Sequence, residues 1–222
     1  MHHDLHDYHD LDALARAASD YIGERIAQAV AVSGSCALAL SGGHTPATTF
    51  ELLARLALPW SDVVIYQVDE RVTNNAALRN LTLLESSFAA CGARIVAMPT
   101  EDHDLDAAAS HYATQLPERF DLVHLGLGED GHTASLTPSD PALELHDELV
   151  AITENYQGHR RMTLTYPALA RAEQLVWLVS GEEKHWALTL LLDGDTSIPA
   201  GRIVAEHSLV LADDAALGPE LI

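Results

Sequence analysis

The 222-residue sequence contains a single lysine, Lys184, beside eleven arginines, and its 33 acidic side chains outnumber the 12 basic ones. A formal net charge of -21 disfavours partners such as nucleic acids and anionic membranes, which bind basic surfaces. A phosphorylated metabolite would also be repelled unless a few cations are concentrated in one cleft. The scarce cations of the chain are therefore candidate ligands for an anion.

Features of secreted and membrane proteins are also missing. No apolar run reaches the ~20 residues that a membrane-spanning helix requires, and the acidic start MHHDLHDYHD is unlike a signal peptide. The two cysteines, Cys36 and Cys91, lie in or beside apolar segments, so we expect buried thiols rather than a disulfide or a metal pair. We expect a cytoplasmic protein that binds neither nucleic acid nor membrane.

Short apolar segments alternate with amphipathic ones, which predicts an α/β fold with a mostly parallel sheet covered by helices on both faces. Expected strands cover 36–40, 63–68, 94–98, 121–125, 149–153, 162–165, 175–179 and 209–212, and expected helices cover 11–30, 104–116, 182–192 and a segment from Pro46. No linker interrupts the chain, so we expect one domain over residues 1–222. The histidine-rich start (His2, His3, His6, His9) could bind a metal weakly, but we expect a frayed, solvated terminus.

Two polar motifs follow expected strands, at the edge where parallel sheets bind ligands. The first is a loop formed by Ser41, Gly42, Gly43, His44 and Thr45. Its backbone amides and the helix that starts at Pro46 could hold a phosphate, although an ordinary tight turn is an equally good interpretation. The second contains Asp69, which could bind hydroxyls, and Arg71, which could hold a phosphate. A surface ion pair is the alternative there.

A third motif, GLGEDGHTAS at 126–135, matches the dinucleotide pattern G-x-G-x-x-G. Pro138 follows too soon for the long helix which that pattern requires, so we expect the glycines to present Asp130 and His132 to a pocket. A histidine suits proton transfer from water because its pKa lies near neutrality; a helix-capping histidine is the alternative. Considered alone, Arg161 and Lys184 are each best interpreted as a solvated surface cation. Together with Arg71 they could form a positively charged cleft.

Five collinear segments together resemble the 6-phosphogluconolactonase family. They are SGGHTP at 41–46, VDER at 68–71 with Asn80 downstream, LGLGEDGHTASLTP at 125–138, RMTLTYPAL at 161–169 and VSGEEKHWAL at 179–188. The resemblance implies a modified Rossmann-like three-layer sandwich similar to glucosamine-6-phosphate deaminase, and it implies that His132 is the catalytic histidine. It also implies that the 41–45 loop, Arg71, Arg161 and Lys184 contact phosphate and sugar. His44 departs from the family, which has a small hydroxyl residue there.

The expected reaction is hydrolysis of 6-phospho-D-glucono-1,5-lactone to 6-phospho-D-gluconate, in the oxidative pentose phosphate pathway. We expect His132 to activate water as a general base, Asp130 to orient the imidazole or its loop, and no metal or other cofactor to take part. Leu136 and Thr137 stand where the deaminases carry an Asn-Glu pair, which favours the lactonase. A deaminase or isomerase, a nicotinamide oxidoreductase and a non-catalytic sugar-phosphate-binding protein stay open. We expect a monomer or a weak homodimer.

Overall fold

The computed structural model describes residues 2–218, over which strands and helices alternate. The strands are β1 (Asp4–Tyr8), β2 (Cys36–Leu40), β3 (Val63–Gln67), β4 (Asp69–Arg71), β5 (Arg94–Val96), β6 (Leu122–Gly126), β7 (Val150–Ile152), β8 (Arg161–Leu164), β9 (Gln174–Val179) and β10 (His207–Asp213). The α-helices are α1 (Leu11–Ser33), α2 (Thr45–Leu53), α3 (Asn80–Phe88), α4 (Leu105–Gln115), α5 (Tyr166–Leu169), α6 (His185–Leu192) and α7 (Asp214–Leu217).

Seven strands form one parallel sheet, in the order β1-β10-β9-β6-β2-β3-β5. The strands β4, β8 and β7 form a separate antiparallel sheet of three. The prediction of a mostly parallel sheet with helices around it is confirmed. The short antiparallel sheet explains the weaker apolar pattern of 149–165, because its strands are only three or four residues long.

Two apolar cores lie on opposite faces of the large sheet, which makes the fold three layers deep. On one face, α1, α2 and α3 bury Leu14, Phe50 and Phe88. On the other face, α4 and α6 bury Tyr112 and Leu188 together with the small sheet. Each such side chain contributes roughly 1.5–3 kcal/mol when it is fully buried. The short apolar segments of the sequence are therefore the strands of a sheet that is buried on both faces, and the amphipathic segments between them are the helices that cover it.

Residues 4–8 are part of the sheet, so the prediction of a frayed terminus is wrong, whereas most side chains of this strand are exposed to solvent as predicted. Strand β1 pairs in parallel with β10, from Asp4 opposite Leu209 to Tyr8 opposite Asp213. His3 is buried, and its Nδ1 lies 2.8 Å from the hydroxyl of Ser208. Residues 2–218 contain no group of three or more His, Cys, Asp or Glu that could hold a metal ion.

The strand order reverses between β2 and β6, which are neighbours in the sheet. From β2 the chain proceeds to β3 and β5 on one side, whereas from β6 it proceeds to β9 and β10 on the other. At such a reversal the connections after the strands diverge and leave a crevice at their carboxyl ends. No helix within residues 2–218 is long and apolar enough to cross a membrane.

Candidate active site

A cavity of about 370 Å³ opens at the carboxyl ends of β2, β6 and β9, where the strand order reverses. It is lined by every residue predicted for the site except Asp130, namely Ser41, Gly42, Gly43, His44, Thr45, Asp69, Arg71, His132, Arg161 and Lys184. Asp130 does not line the cavity but is hydrogen-bonded to the imidazole of His132. Segments separated by more than a hundred residues thus meet in one place, as the fold rule for parallel sheets requires.

The 41–45 loop joins β2 to the first turn of α2. Ser41 fixes its start, since both the backbone N–H and the hydroxyl of Ser41 donate to the carbonyl of His124 on β6, at 3.3 and 3.1 Å. Gly43 has a φ of 122°, which a side chain would strain, and Pro46 occupies the first turn of the helix. His44, Thr45 and Pro46 at this helix start line the cavity, and the N-terminus of a helix favours an anion.

Asp69 is a buried carboxylate at the cavity wall. Its Oδ2 accepts a hydrogen bond from the Ser135 hydroxyl at 2.5 Å, and its Oδ1 accepts one from the Asn80 amide at 3.0 Å. Burial raises the pKa of Asp69 above its ordinary value, against the opposing effects of the Ser135 hydrogen bond and the charge of Arg161. Asp69 therefore ties three separate segments together beside the cavity.

Glu70 was not predicted as a site residue, yet it builds this wall. It is fully buried, and its carboxylate accepts hydrogen bonds from the backbone N–H groups of Asn80 and Leu81, at 2.9 and 2.8 Å, at the start of α3. Gln67 donates a further hydrogen bond to it at 2.9 Å. Glu70 thereby caps a helix that the sequence patterns did not indicate, and it sets Asn80 beside Gly42 and Asp69.

Three cations line the cavity. Arg161 is 5% exposed, and its Nε has no hydrogen-bond partner among the described residues. Burial lowers the pKa of Arg161, an effect that Asp69 opposes, and a guanidinium stays protonated in proteins. Arg71 donates to the carbonyl of Leu78, and the Lys184 ammonium lies 3.7 Å from the carboxylate of Glu183. A charged, partly desolvated group without a full set of partners is suited to bind an anion.

Lys184 reaches the cavity through the segment after β9. Gly181 (φ 107°) turns the chain into the short helical turn Glu182–Lys184. Asp213, the last residue of β10, accepts hydrogen bonds from the Ser180 hydroxyl at 2.5 Å and from the Gly181 N–H at 3.1 Å. The neighbouring strand thus fixes the turn that carries the only lysine of the chain.

His132 and Asp130 form a hydrogen-bonded pair at the cavity edge. Nδ1 of His132 lies 2.6 Å from Oδ1 of Asp130, which also accepts the backbone N–H of His132 at 3.1 Å. Desolvation acts to raise the pKa of Asp130, but the hydrogen bonds from His132 and from the Tyr156 hydroxyl outweigh it, so this pKa lies below its ordinary value. An ionised Asp130 favours the tautomer with the proton on Nδ1, which leaves Nε2 as the basic nitrogen.

Most of the chain matches the model of a known family. Residues 9–211 match the family model described as glucosamine-6-phosphate isomerases/6-phosphogluconolactonase.

The chain belongs to this family. A 6-phosphogluconolactonase of Synechocystis is 39% identical over 180 residues, covering 74% of each chain, and one of Nostoc is 32% identical over 232 residues, covering 96% of this chain and 95% of the relative. The resemblance seen in the sequence is thus confirmed.

Solved structures of family members share the fold. A 6-phosphogluconolactonase of Shewanella baltica superposes with a TM-score of 0.87 at 27% identity, covering 95% of this chain and 97% of the other. A monomeric glucosamine-6-phosphate deaminase superposes with a TM-score of 0.86 at 18% identity, covering 99% of this chain and 100% of the other. The predicted fold, similar to glucosamine-6-phosphate deaminase, is therefore confirmed.

Proposed function

We propose that this protein is a 6-phosphogluconolactonase that hydrolyses 6-phospho-D-glucono-1,5-lactone to 6-phospho-D-gluconate. The observation that carries the proposal is the pair formed by His132 and Asp130, which faces a cavity shared with Arg71, Arg161 and Lys184. A base beside a cluster of cations fits a substrate that has an electrophilic carbonyl at one end and a phosphate at the other. Relatives that bear this activity in their names cover most of the chain.

In this proposal Nε2 of His132 removes a proton from a water molecule whose oxygen attacks C1 of the lactone. The carbonyl becomes a tetrahedral oxyanion, and when it collapses the bond between C1 and the ring oxygen breaks. The proton on Nε2 then passes to that ring oxygen, so that the imidazole is neutral again. Asp130 keeps the other nitrogen protonated and stabilises the imidazolium while it exists.

The phosphate of the substrate is held, in this proposal, by the 41–45 loop together with Arg71, Arg161 and Lys184. The helix start at α2 supplies partial positive charge, and the guanidinium of Arg161, which lines the cavity, supplies N–H donors and a full positive charge. Binding of the remote phosphate fixes the lactone carbonyl against the base, so binding energy is used for orientation. Asp69 stands at the same wall and is assigned to the sugar hydroxyls.

A deaminase or isomerase activity is the second candidate, because a glucosamine-6-phosphate deaminase has the same fold. Leu136 and Thr137, which occupy the positions of the deaminases' Asn-Glu pair, are both buried and neither is a carboxylate. This argues for lactone hydrolysis. Release of ammonia from glucosamine 6-phosphate would establish the second candidate instead.

One assay tests the proposal directly. The lactone is generated in situ by oxidation of glucose 6-phosphate, and its decay is followed with and without the purified protein. Decay that accelerates in proportion to protein concentration supports the proposal. Decay at the spontaneous rate, with measurable binding of 6-phosphogluconate, would identify a non-catalytic sugar-phosphate-binding protein. A place in the oxidative pentose phosphate pathway, a cytoplasmic location and a monomeric or weakly dimeric state stay predictions.

A further inference from the structure

Tyr156, which belongs to none of the motifs noted in the sequence, contacts both functional parts of the candidate site. Its hydroxyl donates a hydrogen bond to Oδ2 of Asp130 at 3.1 Å. Its ring lies edge-on to the imidazole of His132, with centroids 5.3 Å apart and planes at 63°. The guanidinium carbon of Arg161 lies over the same ring, 5.1 Å from its centroid. One side chain therefore touches the proposed base, its carboxylate partner and a proposed phosphate ligand.

A tight turn holds Tyr156 in place. Tyr156 and His159 exchange backbone hydrogen bonds of 3.0 and 3.3 Å. Between them, Gln157 and Gly158 have φ values of 52° and 87°, and positive φ at both central residues defines the type I′ turn that suits the twist of a two-stranded hairpin. The turn precedes β8, whose first residue is Arg161. Tyr156 and the cavity-lining Arg161 thus belong to one continuous, well-paired segment.

The two oxygens of Asp130 are occupied by different partners. Oδ1 accepts from the backbone N–H of His132 and faces its Nδ1, whereas Oδ2 accepts from the Tyr156 hydroxyl. A carboxylate fixed at only one oxygen can rotate about its Cβ–Cγ bond, and the imidazole it orients then turns with it. A donor at the second oxygen restricts that rotation. A hydrogen bond to a charged acceptor contributes more than one between neutral groups.

We propose that Tyr156 is a positioning residue of the lactonase reaction: its hydroxyl holds Asp130 so that His132 presents Nε2, and its ring supports Arg161 at the phosphate end. This inference rests on the proposed function and adds to it a residue that couples the base to the phosphate ligand. The hydroxyl and the ring have separate roles, so two substitutions distinguish them.

Tyr156→Phe removes the hydroxyl and keeps the ring. We expect kcat to fall about tenfold, the size expected for losing one hydrogen bond to a charged group, with KM nearly unchanged. Tyr156→Leu also removes the ring beneath Arg161, so we expect the same loss in kcat and, in addition, a KM that is raised several-fold. An increase of this size is what the loss of a partly desolvated cation–π contact would produce. The matched control is Tyr166→Phe, which removes a phenol donating to the Pro199 carbonyl at 2.9 Å, away from the cavity.

A second readout does not depend on turnover. The ¹⁵N shifts of the His132 imidazole, assigned by their loss in His132→Asn, report which nitrogen carries the proton. We expect the Nδ1–H tautomer to predominate in the wild type and to lose population in Tyr156→Phe but not in Tyr166→Phe. Unchanged shifts in Tyr156→Phe would overturn the inference, whatever happens to kcat, and so would a kcat equal to that of the wild type. A wild type without lactonase activity but with the expected shift change would overturn the proposed function alone.

Discussion

The imidazole of His132 packs directly on the backbone of Gly128. A Cβ built on Gly128 would lie 1.9 Å from Nδ1 and 2.3 Å from Cε1 of the ring, far inside van der Waals contact. The backbone N–H of Gly128 also donates to the carbonyl of His132 at 2.8 Å, which closes the loop. The glycine at 128 is therefore required by the position of the imidazole, because no other residue leaves room for the ring.

Gly128→Ala is expected to displace His132 from Asp130 while leaving the sheet intact. We expect kcat for the lactone to fall by at least about tenfold, since even a small misplacement of a catalytic group is costly. Steady-state kinetics measures this, and circular dichroism checks the fold. Gly126→Ala is the comparison, because a Cβ at Gly126 meets no atom within 4 Å. An equal loss of kcat in both variants would argue against steric displacement of the ring as the cause.

Lys184→Gln is expected to raise KM for the phosphorylated lactone by roughly tenfold or more, because an ammonium bound to phosphate is lost, with a smaller effect on kcat. Hydrolysis of unphosphorylated glucono-1,5-lactone should be affected much less. The two substrates are compared in the same buffer at fixed ionic strength.

The control for this charge change is Arg119→Gln. Arg119 is 56% exposed, lies 2.9 Å from the carboxylate of Glu206, and does not line the cavity. The substitution Arg119→Gln removes one positive charge from the same acidic chain, so it measures the general effect of protein charge on binding of an anionic substrate. Equal changes in KM for both lactones, or equal effects of Arg119→Gln and Lys184→Gln, would show that Lys184 is not a phosphate ligand.

His124 gives the folded state a pH dependence that is independent of the site chemistry. It is fully buried on β6 with its ring edge-on to Phe50, and neither ring nitrogen has a partner among residues 2–218. Desolvation lowers the pKa of His124 from 6.5 to about 3. Between pH 6.5 and pH 3 the imidazole of His124 is protonated in the unfolded chain but neutral in the folded one. The contribution of neutral His124 to the stability of the folded state is therefore fully present above the unfolded pKa and is lost as the pH falls toward 3.

His124→Leu is expected to flatten this dependence. The free energy of unfolding is measured with urea at pH 7.5 and at pH 5, and for the wild type we expect it to fall by on the order of a few kcal/mol between the two. Each pH unit below 6.5 costs about 1.4 kcal/mol through His124, so the free energy of unfolding of the variant should fall by roughly 1–2 kcal/mol less. His111→Asn is the control, since His111 is exposed on α4. If His124→Leu and His111→Asn lose stability equally between the two pH values, a buried neutral His124 does not account for the acid sensitivity.

The parts of the fold that the sequence predicted are those with strong local patterns. Strands buried on both faces, such as Cys36–Leu40 and β9 from Leu175 onward, are continuous apolar runs. The long helix α1 is marked by its apolar stripe and ends at Gly34, in the left-handed conformation that glycine favours. The collinear motifs after β2, β3 and β6 placed the predicted residues in one cavity, because parallel strands bring their carboxyl ends together.

Elements with mixed patterns were missed. Strand β1 reads DLHDY, which is polar because an edge strand buries little, and its pairing with β10 depends on a partner 205 residues away. Helix α3 lacks a side-chain cap of its own at Arg79 and is capped from a distance by Glu70. Neither feature is visible in a local window of sequence.

Tyr156 and Glu70 were missed as site residues for a related reason, since both act through other residues. A signal for Tyr156 is present in the sequence, because the Gln157-Gly158 pair just before an expected strand is compatible with a tight turn. What the tyrosine contacts, however, depends on how the 126–135 loop folds against that turn. The residues that line the cavity were thus more predictable from the sequence than the side chains that position them.

Turnover of the lactone by His132→Asn tests the central claim most directly, because asparagine keeps a polar group near the position of Nδ1 but has no base at the position of Nε2. We expect kcat to fall by ~10²–10⁴-fold, with the affinity for 6-phosphogluconate close to that of the wild type. Lactone hydrolysis at a near-normal rate by this variant would contradict the assignment of His132 as the base, and with it the mechanism proposed for this site.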